Sequence, residues 1–316
     1  MKHSIPEFQD IKNAHLRIEE YIHNTPVLSS KSINKIAGAE IFFKCENFQK
    51  VGAFKFRGAT NAVLSLSEEE AKNGVATHSS GNHAAALSLA AKNRGIPAYI
   101  VMPKNAPIIK KKAVEEYGGI ISFCKPTLQA REEGLEKIVA QTGAEFIHPY
   151  NDSRIITGQG TVAKELLEQC PFLEIIIAPV GGGGLLSGTA ISSKHIKPGI
   201  KVIAAEPEKA NDAFKSFYSG KLFPSENPKT ICDGLLTSLS DLTFSIILNK
   251  VDEIITVKEE SIIMAMRLIW ERMKIIIEPS SAVCLAVIIE NPYKFLDKKI
   301  GIIISGGNVD LQKLPF

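Results

Sequence analysis

The 316-residue sequence has neither a long apolar run nor a surplus of charge of one sign. No stretch approaches the ~18 consecutive apolar residues of a membrane-spanning helix, so we expect no membrane partner. The polar segment from Met1 to His15 lacks the apolar core of a signal peptide. Lys and Arg total 37 against 34 Asp and Glu, with no long basic segment, so nucleic acid is not an expected partner either.

Cysteine is scarce, and the cysteines are not grouped in any CxxC pair. This excludes a zinc knuckle and a disulfide framework, and it predicts a protein of a reducing compartment, the cytoplasm. The five cysteines are widely spaced: Cys45, Cys124, Cys170, Cys232 and Cys284.

The composition is that of a globular protein, with 45% apolar and 22% charged residues. At about 150 residues per domain, the length suggests two domains. Short β-branched runs alternate with stretches of helical period, and several runs are apolar throughout, as in strands covered on both faces. The predicted strands are 41–44, 75–78, 98–102, 120–124, 175–179, 202–205, 254–257 and 300–305.

One stretch with a clear helical period is 262–273, where Ile262, Met266 and Ile269 share a face. Thr256 and Glu259 predict a capping box just before it. Strand–helix alternation of this kind predicts an α/β fold with two open, largely parallel sheets covered by helices. We expect a large domain of residues 1–70 and 152–316, a smaller inserted domain of residues 71–151, and a ligand in the cleft between them.

Four consecutive glycines, Gly181, Gly182, Gly183 and Gly184, follow the strongest strand run and precede Leu185. Without Cβ atoms, several backbone N–H groups can converge on one anion, and a helix beginning near Leu185 adds its positive dipole end. No Gly-Lys-Ser/Thr follows, so this is not a P-loop. The pattern favours phosphate binding over a flexible packed turn.

Lys55 lies between Phe54 and Phe56, where desolvation would lower its pKa and make its amine a nucleophile. A surface lysine laid along apolar neighbours is the alternative, and the residues alone favour it.

Two further segments follow predicted strands. The small residues Ser79, Ser80 and Gly81, with Asn82, could bind a ligand or cap the next helix. Glu206 and Asp212 could hold a hard cation through oxygen atoms, although such loop carboxylates more often face solvent.

These segments occur together and in order, and the chain thereby resembles the serine racemase and serine/threonine dehydratase family of pyridoxal-phosphate enzymes, with the tryptophan-synthase-β-like fold (fold type II). The matching motifs are KCENFQKVGAFKFRGA, HSSGNH, GQGT, PVGGGGLLSG, AAEP, WERMKIIIEP and SGGNVD. The resemblance places Lys55 on the Schiff-base lysine and Ser305 on the partner of the pyridine nitrogen. It places Phe54 and Asn82 on cofactor contacts and residues 181–185 on the phosphate loop.

The resemblance also implies a reaction in which Lys55 removes the Cα proton of a small hydroxy amino acid. Loss of the β-hydroxyl then leads to pyruvate or 2-oxobutyrate plus ammonia, whereas reprotonation from the opposite face by Ser80 gives the D-isomer. The backbone amides of residues 79–82 would clamp the substrate carboxylate. A neutral hydroxyl at Ser305 fits elimination and racemisation better than transamination.

Further expectations concern ions, effectors and assembly. The resemblance implies a divalent cation, Mg²⁺ or else Ca²⁺ or Mn²⁺, on Glu206, the carbonyl of Ala210 and Asp212. Lys50, Lys274 and Asn308 match positions that contact an ATP effector, and a homodimer is expected. Ala53 favours a second reading, a 3-hydroxyaspartate ammonia-lyase. The intact Lys55 argues against a third, a catalytically silent cofactor-binding protein.

Overall fold

A computed structural model describes residues 4–316, which form two sheets of mainly parallel strands with helices packed around them. The strands are β1 (Val27–Leu28), β2 (Glu40–Cys45), β3 (Val75–His78), β4 (Ala98–Pro103), β5 (Gly119–Cys124), β6 (Glu145–Phe146), β7 (Ile175–Pro179), β8 (Lys201–Pro207), β9 (Glu253–Val257) and β10 (Lys299–Ile304). The expected α/β class is therefore confirmed.

The larger sheet has the order β1-β2-β10-β7-β8-β9, and only the β1–β2 pair is antiparallel. The smaller sheet has the order β5-β4-β3-β6 and is parallel throughout. Every residue of β7 is buried, because helices cover both faces of the larger sheet. The carboxyl ends of the parallel strands in each sheet thus share one edge.

The helices are α1 (Phe8–Ile18), α2 (Lys31–Ala37), α3 (Lys55–Leu64), α4 (Glu68–Ala71), α5 (Asn82–Arg94), α6 (Ile108–Glu116), α7 (Leu128–Thr142), α8 (Ser153–Gln169), α9 (Gly184–Ile196), α10 (Asp212–Ser219), α11 (Asp241–Lys250), α12 (Glu259–Met273), α13 (Pro279–Glu290) and α14 (Pro292–Phe295). No helix among residues 4–316 combines the length and apolarity needed to cross a membrane.

All eight predicted strands are present, with ends displaced by at most two residues. The two-residue strands β1 and β6 were not predicted, because so short a segment carries no periodicity. The predicted capping box at Thr256 and Glu259 is wrong. Thr256 pairs within β9, and α12 begins after Lys258 without a side-chain cap.

The two sheets account for separate stretches of the chain. The strands of the smaller sheet all lie within residues 75–146, and those of the larger sheet lie before and after them. The apolar cluster on the smaller sheet also takes in residues of α3, including Phe56, Ala59 and Val63. The exact domain boundaries stay a prediction, and α3 spans the region where the two parts meet.

Helix α3 crosses α8 at two glycines, Gly58 and Gly158. A Cβ at Gly158 would lie 2.6 Å from the Gly58 Cα atom and 2.8 Å from the Arg57 carbonyl oxygen. The side chain of Gln159 accepts a hydrogen bond from the Gly58 amide at 3.2 Å. This close contact between backbones explains the GQGT motif and fixes the position of α3.

Candidate active site

Lys55 is the first residue of α3, so its side chain leaves the helix at its N-terminal end. This helix begins four residues before the predicted start at Ala59. The Lys55 Nζ atom donates a hydrogen bond to the Pro149 carbonyl at 3.0 Å and lies 5.2 Å from the centroid of the Phe54 ring. Burial lowers the pKa of the Lys55 amine to about 8, although the carboxylate of Glu278 acts in the opposite direction. The amine is thus closer to its reactive neutral form than an exposed lysine.

A fully buried cluster of four charges holds the first turn of α3 in place. The guanidinium of Arg57 bonds to Glu46 at 2.7 Å and to Glu165 at 2.6 Å, and Lys44 bonds to Glu165 at 2.7 Å. Each charge has an opposite partner, so none is left unpaired where its desolvation would be costly. Because Arg57 is two residues from Lys55, the cluster also fixes the catalytic candidate.

The glycine segment connects β7 to α9, which begins at Gly184. Gly183 has φ +85°, a conformation that a side chain would strain, and a Cβ at Gly182 would lie 2.3 Å from the Tyr150 ring. Backbone N–H groups at the N-terminus of a 13-residue helix form a cradle for an anion. The chemistry of the segment fits a phosphate group.

The segment that includes Pro149 and Tyr150 connects Lys55 to this cradle. Pro149 accepts the hydrogen bond from Lys55, and the ring of Tyr150 packs on Gly182 and Gly184. Burial raises the pKa of the Tyr150 hydroxyl. The predicted nucleophile and the predicted phosphate loop, 126 positions apart in sequence, therefore lie at one place.

Ser79, Ser80 and Gly81 form the link from β3 to α5, and Asn82 is the first residue of that helix. Gly81 occupies the N-cap position, and no side chain caps the helix. The capping role considered for Ser80 is therefore wrong. Among the described residues its hydroxyl has no hydrogen-bond partner, so it remains available to a ligand.

Ser305 directly follows β10, at the carboxyl edge of the larger sheet. Its hydroxyl lies 3.1 Å from that of Ser281, and its carbonyl accepts a hydrogen bond from the Phe54 amide at 3.0 Å. The Gly306 amide donates to the Ser281 hydroxyl at 2.9 Å. The loop after β10 is thereby fastened beside Lys55.

Glu278 is the site residue that sequence reasoning missed, although it lies in the quoted motif WERMKIIIEP. It is buried at the start of α13 and accepts hydrogen bonds from the Asn82 amide, at 3.1 Å to each carboxylate oxygen. The signal that could have found it is a Glu before Pro279, since Pro commonly occupies the first position of a helix. That pattern indicates a helix start but gives no direction for the side chain.

These residues pass the fit test for pyridoxal phosphate. The fit rests on a desolvated lysine, a cradle that a Cβ would fill and a serine hydroxyl, all on loops at the carboxyl ends of strands. Such loops are where ligands bind in open α/β sheets.

The predicted cation ligands lie together where β8 leads into α10. Both carboxylate oxygens of Glu206 accept backbone N–H groups, from Ala213 at 2.9 Å and Phe214 at 2.8 Å. Asp212 Oδ2 is buried and has no hydrogen-bond partner within residues 4–316. Burial raises the pKa of Glu206 to about 8 and that of Asp212 to about 6, and the charge of Asp212 contributes to the rise at Glu206. A cation would relieve this repulsion, so the donor set fits one.

A cavity of about 450 Å³ lies on the far side of Asn82. Its walls include Val51, Ala85, Lys110 and Asn308. Asn308 is the one predicted effector residue on these walls; Lys50 adjoins Val51, and Lys274 is exposed at the end of α12.

Comparison with known proteins decides the family. The model of the family described as "Pyridoxal-phosphate dependent enzyme" matches residues 18–306. The chain belongs to this family. The predicted recognition of a pyridoxal-phosphate enzyme is thus confirmed.

Individual relatives of this pyridoxal-phosphate dependent enzyme bear two kinds of name. The chain is 53% identical over 312 residues to a beta-hydroxyaspartate dehydratase from Paracoccus denitrificans, covering 99% of each chain. It is 53% identical to a serine racemase from Dictyostelium discoideum, whose crystal structure matches with a TM-score of 0.93 over 98% of this chain and 100% of that one. A bacterial-type threonine deaminase of known crystal structure, from T.th., is 38% identical, with a TM-score of 0.93 over 97% and 99% of the two chains.

Proposed function

We propose that this protein is a serine racemase and L-serine dehydratase with activity toward L-threonine. The observation that carries the proposal is the meeting of Lys55, the glycine cradle and Ser305 on adjacent loops, in a chain that is similar to serine racemases and to a threonine deaminase over nearly its whole length. Pyridoxal phosphate supplies an electron sink when bound.

The chain's own residues would bind the substrate and move its protons. The N–H groups of the 79–82 segment would hold the substrate carboxylate, and the glycine segment the cofactor phosphate. Lys55 would remove the Cα proton, because its lowered pKa leaves a usable fraction of neutral amine near pH 8. Ser80, whose hydroxyl is free of protein partners among the described residues, would deliver a proton to the opposite face.

One observation favours a second candidate, the dehydration of 3-hydroxyaspartate. The Nε atom of Arg131 is buried and without a hydrogen-bond partner in the described part of the chain, and the guanidinium lowers the pKa of His78, next to Ser79, in addition to the larger effect of burial. An unpaired guanidinium there is suited to a second substrate carboxylate. Ala53 and the similarity to a beta-hydroxyaspartate dehydratase agree with this candidate.

We also propose a structural Mg²⁺, or Ca²⁺ or Mn²⁺ in its place, on Glu206, the Ala210 carbonyl and Asp212. The buried acidic pair supports it, since hard cations prefer such oxygen ligands. An ATP effector would bind in the cavity beside Asn308, where Lys110 and Lys313 offer positive charge to phosphates.

A cytoplasmic homodimer is the proposed working form. The five cysteines are all free, which suits a reducing compartment. Exposed apolar residues occur on α2 and α14, including Ile36 (55% exposed) and Tyr293 (94% exposed). Exposed apolar surface of this kind is typical of a protein interface.

The decisive experiment is the product profile of the purified protein. It would be incubated separately with L-serine, D-serine, L-threonine and L-threo-3-hydroxyaspartate, and the keto acids and D-isomers would be quantified. We expect pyruvate and D-serine from L-serine, and none from Lys55→Ala. Turnover of hydroxyaspartate with neither product from serine would establish the second candidate instead. Wild-type turnover by Lys55→Ala would refute both.

A further inference from the structure

Glu278 is an acidic side chain buried against the proposed cofactor site. It is 3% exposed and forms no ion pair among the described residues. Its side-chain hydrogen bonds come from the amide of Asn82, and a Cβ at Gly306 would lie 3.0 Å from its Oε1 atom. A buried carboxylate bound only by a neutral amide costs desolvation energy that packing alone does not justify.

The hydrogen bonds around Asn82 determine which way its amide faces. The Val51 carbonyl can only accept, so the Asn308 side chain must present its nitrogen there, at 2.7 Å. The same nitrogen then donates to Asn82 Oδ1 at 3.0 Å. Asn82 Nδ2 consequently faces Glu278, whose ionised carboxylate can only accept.

We propose that Glu278 is a positioning residue whose carboxylate, with Asn308, locks the Asn82 amide so that its remaining N–H serves the bound cofactor. The inference rests on the proposed function, in which Asn82 contacts pyridoxal phosphate. Without an acceptor at position 278, the Asn82 amide could rotate and present its oxygen to the cleft. The donor would then be lost although every residue that touches the cofactor remained.

The surroundings make this lock sensitive to pH near neutrality. Burial raises the pKa of the Glu278 carboxyl to about 7, and the negative charge of Asp233 adds to the rise. The bond from Asn82 and the charge of Lys110 oppose it. The groups that face Glu278 come from α3, α5, α6, the turn before α11 and the loop after β10: Lys55, Asn82, Lys110, Cys232, Asp233 and the backbone of Asn308.

The test is the dissociation constant of pyridoxal phosphate, measured by equilibrium dialysis of the holoenzyme. Glu278→Gln keeps the size of the side chain and removes the charge, and we expect it to weaken binding about tenfold, the effect of losing a charge-assisted hydrogen bond. Glu290→Gln is the matched control, because Glu290 lies at the other end of α13 and accepts a backbone N–H from Lys258. We expect it to bind like the wild type.

A double-mutant cycle tests whether Glu278 acts through Asn82. In an Asn82→Ala background, Glu278→Gln should weaken binding no further, whereas independent, additive losses would overturn the proposal. Asn308→Ala, which removes the bond at the other end of the amide, should weaken binding alone and not in the Asn82→Ala background. It also serves if Glu278→Gln does not fold.

The pH dependence gives a second readout. The ratio of variant to wild-type dissociation constants should shrink toward one below pH 7, as the wild-type carboxyl becomes protonated. An equal affinity of Glu278→Gln and wild type, or a ratio constant from pH 6 to 8, would also overturn the proposal. A wild-type protein that bound no pyridoxal phosphate would instead refute the proposed function itself.

Discussion

At the scale of single residues, the site depends on which polar groups are already engaged within the protein. Asn82 is bound on both sides, by Glu278 and Asn308, whereas the hydroxyl of Ser80 meets no protein partner in the described chain. A satisfied group holds its place and an unsatisfied one can serve a ligand. Ser80 is therefore the residue whose replacement should alter the reaction and not the fold.

Ser80→Ala should abolish D-serine formation from L-serine while L-serine dehydration continues, because Lys55 removes the proton of the L-isomer. Dehydration of D-serine should fall together with racemisation. Since Gly81 and not Ser80 occupies the N-cap of α5, stability should stay within about 0.5 kcal/mol of wild type. Both isomers would be assayed on one preparation, with its unfolding curve, and equal losses on both isomers would deny Ser80 this role.

At the scale of elements, the contact between α3 and α8 sets the position of Lys55. The crossing works because Gly58 and Gly158 let two backbones touch, and the buried Arg57 cluster joins the same two helices to β2. The catalytic amine is thus held by a helix pair and not by a flexible loop. A change that separates the helices should affect stability and turnover together.

Gly158→Ala tests this contact. Its Cβ would meet backbone atoms at 2.6 and 2.8 Å, so the helices must separate. We expect a loss of about 1–3 kcal/mol in the free energy of unfolding, despite the better helix propensity of alanine, and a lower kcat. Gly199→Ala is the control, since no atom lies within 4 Å of its Cβ. Urea unfolding and initial rates measure both effects, and two variants that behave alike would contradict this account.

At the scale of the whole molecule, the buried acidic pair after β8 links stability to pH and to cations. The folded-state pKa of Glu206 is raised from 4.5 to about 8, so the folded protein binds its proton more tightly than the unfolded chain does. The resulting stabilisation is complete below pH 4.5 and is lost as pH rises through 8. A cation that binds only the folded state replaces the proton and restores stability.

Without divalent cations, Tm should therefore fall as pH rises from 5 to 8, and Mg²⁺ or Ca²⁺ should remove most of that fall. Glu206→Gln should lose the response to cations, whereas Glu208→Gln, an exposed neighbour, should keep it. Thermal unfolding after exhaustive chelation, with and without added cation, measures this. A wild-type Tm that ignores cations at pH 8 would rule out the site.

The sequence by itself determined the strand–helix alternation, the eight longer strands and the motifs of the site, because these depend on local periodicity and on neighbouring residue types. Lys55, the glycine segment and Ser305 were predicted on those grounds together with the family resemblance. Only the tertiary structure decided the rest. The hydrogen bond from Asn82 to Glu278 joins residues 196 positions apart, and the close approach of Gly58 to Gly158 joins residues 100 apart. No local pattern encodes where a buried side chain points, since that direction is set by the packing of helices and loops far apart in the chain.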